Sequence, residues 1–249
     1  MLSSSKKQLL VVAGVAGALG LAVLLACIVA RPAVDAFFYP KPRSLPPVVS
    51  ETTEILLDRL QSTLQKHAPM VLTNLYPGLS EAQLIAFEAE GGLQLPEEMR
   101  ALYRWRNGAF TNQADGIIPG HWFPPLEWLL ANRAALRAQL QAHTAVQIAA
   151  YRVFTGHREG WIEVFPDGAG DGYFYDPKRS EKEGPFFYNF AETGYYQWFP
   201  SFRNFLAGVI ECYESGAYRV AAGGTRMEED SERTETILKR YGSHNLDAP

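Results

Sequence analysis

Four carboxylates fall between residues 163 and 176, namely Glu163, Asp167, Asp171 and Asp176, and the middle two enclose the run Asp167-Gly-Ala-Gly-Asp171-Gly172. Acids at the first and fifth positions with Gly at the sixth have the spacing of a calcium loop, where oxygen ligands surround a hard cation. Ala169 occupies the third ligand position, however, and Lys178 the twelfth, where a bidentate Glu is required. Gly168, Gly170 and Gly172 would suit a phosphate cradle, but no helix start follows them and no Lys is placed as in a phosphate-binding loop. A pair of these acids could flank a sugar bond for glycoside hydrolysis. A carbohydrate-active or metal-dependent enzyme using residues 163–176 is therefore the alternative reading. The plainer one is a tight turn between two strands, since Gly and Asp are favoured by positive φ and by local side-chain bonds. Its acidic rim would then serve recognition.

Other reactive residue types are dispersed. His121, His143 and His157 show neither the i, i+4 spacing of a metalloprotease helix nor a partner Cys, and no G-x-S-x-G elbow is present. Cys27 and Cys212 are too isolated for a disulfide framework or a zinc site. The sequence thus yields no catalytic set, no metal site and no cofactor. Lys6, Lys7 and Arg31 lie in the first 31 residues, which contain no acid; taking these 3 from the 23 basic residues leaves 20 against 27 acidic ones, a net of −7. That balance disfavours nucleic acid as a partner.

The elements that position these residues begin with Leu9–Ala30, 22 residues without a charge. At 1.5 Å per residue they can cross a hydrocarbon core of about 30 Å. The length favours an uncleaved anchor over a cleaved signal, and over a lipoprotein signal ending at Leu24-Leu25-Ala26-Cys27, which Ile28-Val29-Ala30 follow atypically. Lys6, Lys7 and the terminal amine precede the span while Arg31, Lys41 and Arg43 follow it, so the charge rule assigns no side to the domain. Residues 31–50 are proline-rich and read as a linker. Residues 1–8 are a short tail, 51–220 the folded domain, and 221–249 a charged helix and tail whose last eight residues should fray.

Within the domain, a helix with an apolar stripe of Ile55, Leu56, Leu57, Leu60 and Leu64 should end near His67-Ala68-Pro69. A helix pair follows over Leu79–Gly108. Ser80 and Gln83 form a capping box, Gly91-Gly92 breaks the helix, Pro96 starts the next, and Asn107-Gly108 should stop it. Residues 109–125 read as loop with a brief pairing segment at Ile117-Ile118, and Leu126–His143 as helix. Period-two segments at Val146–Phe154, Trp161–Phe165, Gly172–Asp176, Pro185–Phe190 and Tyr195–Phe199 predict about five short strands. A last core helix starts at Pro200-Ser201-Phe202.

Three features in order carry a family resemblance: the run from Ser80 to Leu95-Pro96 with Arg104-Trp-Arg-Asn-Gly108, then Trp161 with Asp167-Gly-Ala-Gly-Asp171, then the Pro200-Ser201-Phe202 helix. Over about residues 54–220 the chain resembles the Smi/Knr-type family of the SUKH superfamily, which includes fungal cell-wall assembly regulators and bacterial immunity proteins. The resemblance implies an α+β fold, helices packed on a largely antiparallel sheet, that binds other proteins and has no established catalytic role. Trp161, Gly170 and Asp171 match its recurrent signature. Trp105, Asn107, Gly108, Asp167, Gly168 and Tyr173 join them as candidate partner-binding residues. Two departures stand out: the anchor is not part of that domain, and Tyr173-Phe174-Tyr175 and Phe186-Phe187-Tyr188 replace more aliphatic strands. The expected protein is a single-pass, membrane-tethered, non-enzymatic interaction domain whose partner is a toxin or an envelope or cell-wall assembly component.

Overall fold

The computed structural model describes residues 44–110, 116–141, 160–179, 182, 184–190, 195–224 and 226–244. The expected anchor at 9–30 and the strand expected at Val146–Phe154 lie outside them. Among the described residues no helix is long and apolar enough to cross a membrane.

Helix α1 (Thr53–His67) is capped by Thr52, whose hydroxyl accepts from Ile55 N, and buries Leu56, Leu57, Leu60 and Leu64, while Ile55, expected on the same stripe, falls on the exposed side of the first turn. The short α2 (Pro69–Thr73) leads into β1 (Leu75–Pro77). Next comes α3 (Glu81–Gly91), where the Ser80–Gln83 capping box forms as the sequence predicts and Gly92 ends the helix at φ 53°. Pro96 sits at the cap position of α4 (Glu97–Trp105). One face of α4 buries Met99, Leu102 and Tyr103 completely. Arg100 joins the two helices through Glu88 at 2.5 Å and through Glu81, while a second Glu88 oxygen accepts from Leu95 N at 2.9 Å. Burial alone would raise the Glu88 carboxyl, but these two donors hold it below its ordinary value.

Asn107-Gly108 does not stop α4 by a left-handed cap. The helix ends at Trp105, Arg106 is already extended, and β2 (Arg106–Ala109) pairs antiparallel with β1. After α5 (Leu126–Gln141) the chain forms β3 (Ile162–Pro166), β4 (Gly172–Tyr175), β5 (Phe186–Phe190) and β6 (Tyr195–Phe199), each antiparallel to the one before. Helix α6 (Phe202–Glu214) follows, with Ser201 as its cap. The two-stranded β7 (Tyr218–Val220) and β8 (Met227–Glu229) precede α7 (Ser231–Tyr241) and β9 (Ser243–His244).

The fold is α+β, and its five-stranded sheet runs β3-β4-β5-β6-β9. Ser243 and His244, expected to fray, instead pair with Trp198 and Gln197 as the fifth strand. Strand aromatics fill both faces. Phe165, Tyr173, Phe186 and Phe199 meet Phe202 and Phe205 of α6 on one side, while Trp161, Phe174, Phe187, Tyr196 and Trp198 form a separate cluster on the other. A sheet covered on both faces has no need of alternating apolar and polar residues, which accounts for the unbroken aromatic triplets. Gly208 lets α7 approach α6 closely, since a Cβ there would lie 2.9 Å from the Leu238 side chain. At the other end of the chain, Val49 N donates to Asn204 Oδ1 at 3.1 Å and Asn204 Nδ2 to Pro47 O at 3.0 Å. The close of the proline-rich segment therefore docks on the fold.

Candidate partner-binding site

The Asp167–Asp171 run is the turn between β3 and β4. Gly168 and Gly170 take φ of 84° and 115°, where a side chain would be strained. Asp167 Oδ1 accepts from Ala169 N at 2.7 Å and Gly170 N at 3.0 Å, and Asp167 N donates to Asp171 O at 3.1 Å. That carboxylate oxygen is engaged in building its own loop, as the tight-turn reading requires. Among the described residues no three His, Cys, Asp or Glu gather as a metal group.

Beyond the turn, the register aligns Phe165, Tyr173, Tyr188, Gln197 and His244 opposite one another across all five strands. Such a row places side chains on one face at the strand spacing of about 4.8 Å. The Tyr173 and Tyr188 rings meet edge to face at 4.6 Å, and Tyr173 rests on Phe205 at the same distance. From Tyr173 to His244 this row floors a cavity of about 420 Å³. Its walls are Ile118 and His121 on one side, Tyr218 and Glu229 of the β7–β8 pair, and Thr234, Glu235 and Leu238 of α7.

His121 is held by its neighbours in the segment 116–125. Tyr213 donates to Ile117 O at 2.8 Å, Ile118 and His121 form a bridge, and Trp122 N donates to Pro166 O at 2.9 Å. Its Nδ1 lies 3.0 Å from Pro119 O and its Nε2 3.3 Å from the Tyr188 hydroxyl. A carbonyl only accepts, so Nδ1 carries the proton and Nε2 accepts from Tyr188. Burial pushes the imidazole below its ordinary pKa, against the Pro119 carbonyl and the charges of Asp167 and Asp171, which act the other way. The acidic turn is thus close enough to be felt in the cavity wall.

The remaining predicted residues lie elsewhere. Trp161 faces the opposite side of the sheet, packing on Phe187 at 4.6 Å. Trp105 is half-buried on the helical side under the Arg106 guanidinium. Asn107 is buried and caps a distant helix: its Oδ1 accepts from Leu126 N at 3.0 Å and its Nδ2 donates to Glu127 at 3.1 Å. Gly108, at φ 80°, leaves room for Pro124-Pro125, whose backbone would stand 2.4 Å from a Cβ. Of the predicted set, then, Tyr173 enters the cavity, Asp167 and Asp171 act on it electrostatically, and Trp105, Asn107, Gly108 and Trp161 secure the framework.

The family model described as SMI1 / KNR4 family (SUKH-1) matches residues 78–208, more than half of the chain. The chain belongs to this family. A search of curated proteins finds no match. The matched span begins before α3 and ends within α6, so this SUKH-1 region supplies the helix pair, β3 to β6 and the His121 segment. Tyr218, Glu229, Glu235 and His244 come from beyond it.

In this SUKH-1 fold burial shifts several hydroxyl, thiol and carboxyl groups toward their neutral forms. Burial raises the Tyr173, Tyr188 and Tyr218 hydroxyls and pushes the Cys212 thiol up to about 12. Glu163, on β3, is raised to about 7 by burial and by the charge of Asp167. Sequence reasoning passed over His121, Tyr188, Tyr218, Gln197, Glu229 and Glu235 as site residues. A signal for Tyr188 and Gln197 existed, since both share the strand parity of Tyr173 once the hairpins are aligned. His121 lies in a segment read as loop, and Glu229 in one read as a charged helix though it ends β8, so neither offered one.

Proposed function

We propose that this SUKH-1 chain is a membrane-tethered, non-enzymatic protein-interaction module that either neutralises a toxin by occluding it or scaffolds envelope or cell-wall assembly. Its layout in this reading is a tail at 1–8, an anchor at 9–30, a linker at 31–50, the interaction domain at 51–220 and a charged C-terminal segment at 221–249. The observation that carries the reading is the cavity over the Tyr173–Tyr188–Gln197 row, an aromatic floor with acids at its mouth and no Lys or Arg among its described lining residues. Recognition needs a shaped, partly apolar surface with a few oriented polar groups, which this floor supplies. The tether rests on the 22 uncharged residues Leu9–Ala30.

The full chain, purified from solubilised native membranes, is expected to bring a specific protein with it, and Asp171→Ala to weaken that recovery. A chain found in the soluble fraction, or purified without a specific companion, counts against the proposal. A second reading, an acid-based glycan or metal enzyme, draws on Glu163, whose carboxyl near 7 lies within the field of Asp167. Calorimetry with calcium and with wall glycans separates the two readings. Saturable heat together with glycan cleavage would establish the enzyme.

A further inference from the structure

We infer that the cavity over the Tyr173–Tyr188–Gln197–His244 row is a receptor for an uncharged carboxamide, the side chain of a glutamine or asparagine on the protein partner. The inference rests on the interaction reading above and specifies what the partner presents.

The donors and acceptors of the lining point to this chemistry. Gln197 lies in the floor at 4% exposure, and its amide nitrogen has no hydrogen-bond partner. Its register opposite Tyr188 and His244 puts the side chain on the cavity face of the sheet, and the last torsion of a glutamine is broad enough to turn that nitrogen toward the opening. A buried donor left unbonded costs stability, and a ligand that brings an acceptor removes the cost. Elsewhere the lining is rich in acceptors. His121 is committed at both ring nitrogens, to Pro119 O and to the Tyr188 hydroxyl. Because Tyr188 donates to His121, its oxygen is left to accept. The carboxylates of the exposed Glu229 and Glu235 accept at the mouth. The ligand must therefore bring an acceptor to the floor and donors to the wall and mouth.

Charge selects among the groups that could do so. A carboxylate brings an acceptor but no donor, and it would enter a mouth that already holds Glu229 and Glu235, with the charges of Asp167 and Asp171 felt at Tyr188. An ammonium or a guanidinium brings donors and no acceptor, which leaves Gln197 as it was. A primary carboxamide carries a carbonyl and two N–H groups on one planar end. Its carbonyl accepts from Gln197 Nε2, while its N–H groups donate to the Tyr188 oxygen and to a carboxylate at the mouth. The half-buried Tyr188 and Phe190, edge to face at 4.5 Å, flank the apolar stem together with Ile118 and Leu238. The volume of about 420 Å³ lies in the range of about 300–1,000 Å³ for small-ligand pockets and accommodates a side chain entering from the mouth.

The test is calorimetric titration of the full chain in detergent with three Nα-acetyl amino-acid methylamides that differ only in side chain: glutamine, glutamate and methionine. The glutamine probe is expected to bind at least fivefold tighter than either of the others, and to shift the Gln197 side-chain amide resonances in nitrogen-resolved NMR spectra. Gln197→Met should bring the glutamine probe down to the affinity of the methionine probe. The paired exchange of the exposed Glu229→Gln and Glu235→Gln should narrow the gap between the glutamate and glutamine probes at least threefold. Circular dichroism establishes folding, and the surface exchange tests the inference even where Gln197→Met does not fold. Equal binding of the glutamine and methionine probes, glutamate binding as tight as glutamine in the wild type, or Gln197 resonances unmoved at saturation overturns the inference. N-acetylglucosamine, an acetamide carried on a sugar, separates the sources: binding tighter than that of the glutamine probe assigns the site to a glycan and overturns the partner assignment. If a partner co-purifies with the wild type and is retained unchanged by folded Gln197→Met, the carboxamide receptor falls while the interaction reading stands. Absence of any partner from the wild type removes the interaction reading itself, and the partner assignment with it.

Discussion

A carboxyl buried beside another acid keeps its proton to higher pH than it does in the unfolded chain, and Glu163 is in that position. Its pKa rises from 4.5 to about 7 through burial first and the Asp167 charge second. The native state therefore binds more protons than the unfolded state between pH 4.5 and 7, and stability falls as pH climbs through that window. The stabilisation is fully present below 4.5 and gone above about 7, an effect of roughly 3 kcal/mol from the separation of the two pKa values. Glu163→Gln removes the ionisation, so the variant should melt several degrees higher than wild type at pH 8 and differ little at pH 5. Thermal unfolding at the two values checks this; an equal difference at both would show that the carboxyl does not titrate on folding. At this scale the sequence was most legible where chemistry is local. Asp167 with Gly168 and Gly170 announces a turn because its bonds stay within four residues, whereas the raised carboxyl of Glu163 depends on which residues the sheet stacks around it.

Helix ends follow the same division between local and distant partners. Ser80 and Gln83 close a capping box three residues apart, Thr52, Ser201 and Asp230 each cap the helix that follows them, and all of these lie within reach of a sequence reading. Asn107 is the exception. It follows α4 as a C-cap would, yet its side chain spans 19 residues to serve Leu126 N at the start of α5. Asn107 also lies in β2, so one residue fixes both the strand and the direction from which α5 leaves. Asn107→Ala strands a buried N–H and removes a donor from Glu127. The expected loss is about 1–3 kcal/mol, the cost of an unmet buried polar group added to a lost cap. Denaturant unfolding measures it, and Asn107→Asp should not restore full stability, because its carboxylate would face that of Glu127. A change under about 0.5 kcal/mol would mean that α5 does not depend on this cap. Strands were equally readable in kind, since four of the predicted segments are strands, but the unbroken aromatic runs arise from a sheet buried on both faces, and no single strand reveals that.

At the scale of the molecule, completion of the sheet depends on the chain's return. The fifth strand is supplied by Ser243-His244, after α7 has packed on α6 through Gly208, Leu238 and Tyr241. Tyr241 donates to Glu211 at 2.8 Å, and Arg240 pairs with the same carboxylate, so the α7 approach is fixed by its last turn. Nothing in a two-residue segment beyond a charged helix signals a strand; its pairing is set by α7, which delivers it to the exposed edge of β6. The cavity has the same origin, drawing its wall from segment 116–125, its floor from the sheet and its mouth from β8 and α7, pieces that are neighbours only in the folded state. The consequence is cooperative. A chain ending at Gly242 loses the ladder to Gln197 and Trp198, leaves the β6 edge unpaired and removes His244 from the cavity floor. Hydrogen exchange should then quicken at Gln197, Trp198 and the last turn of α7, while the Leu56–Leu64 face of α1 keeps its protection, because its partners lie on α6, away from that edge. Unchanged exchange at β6 would show that the closing strand contributes nothing to the unit, and the cavity floor would then end at Gln197.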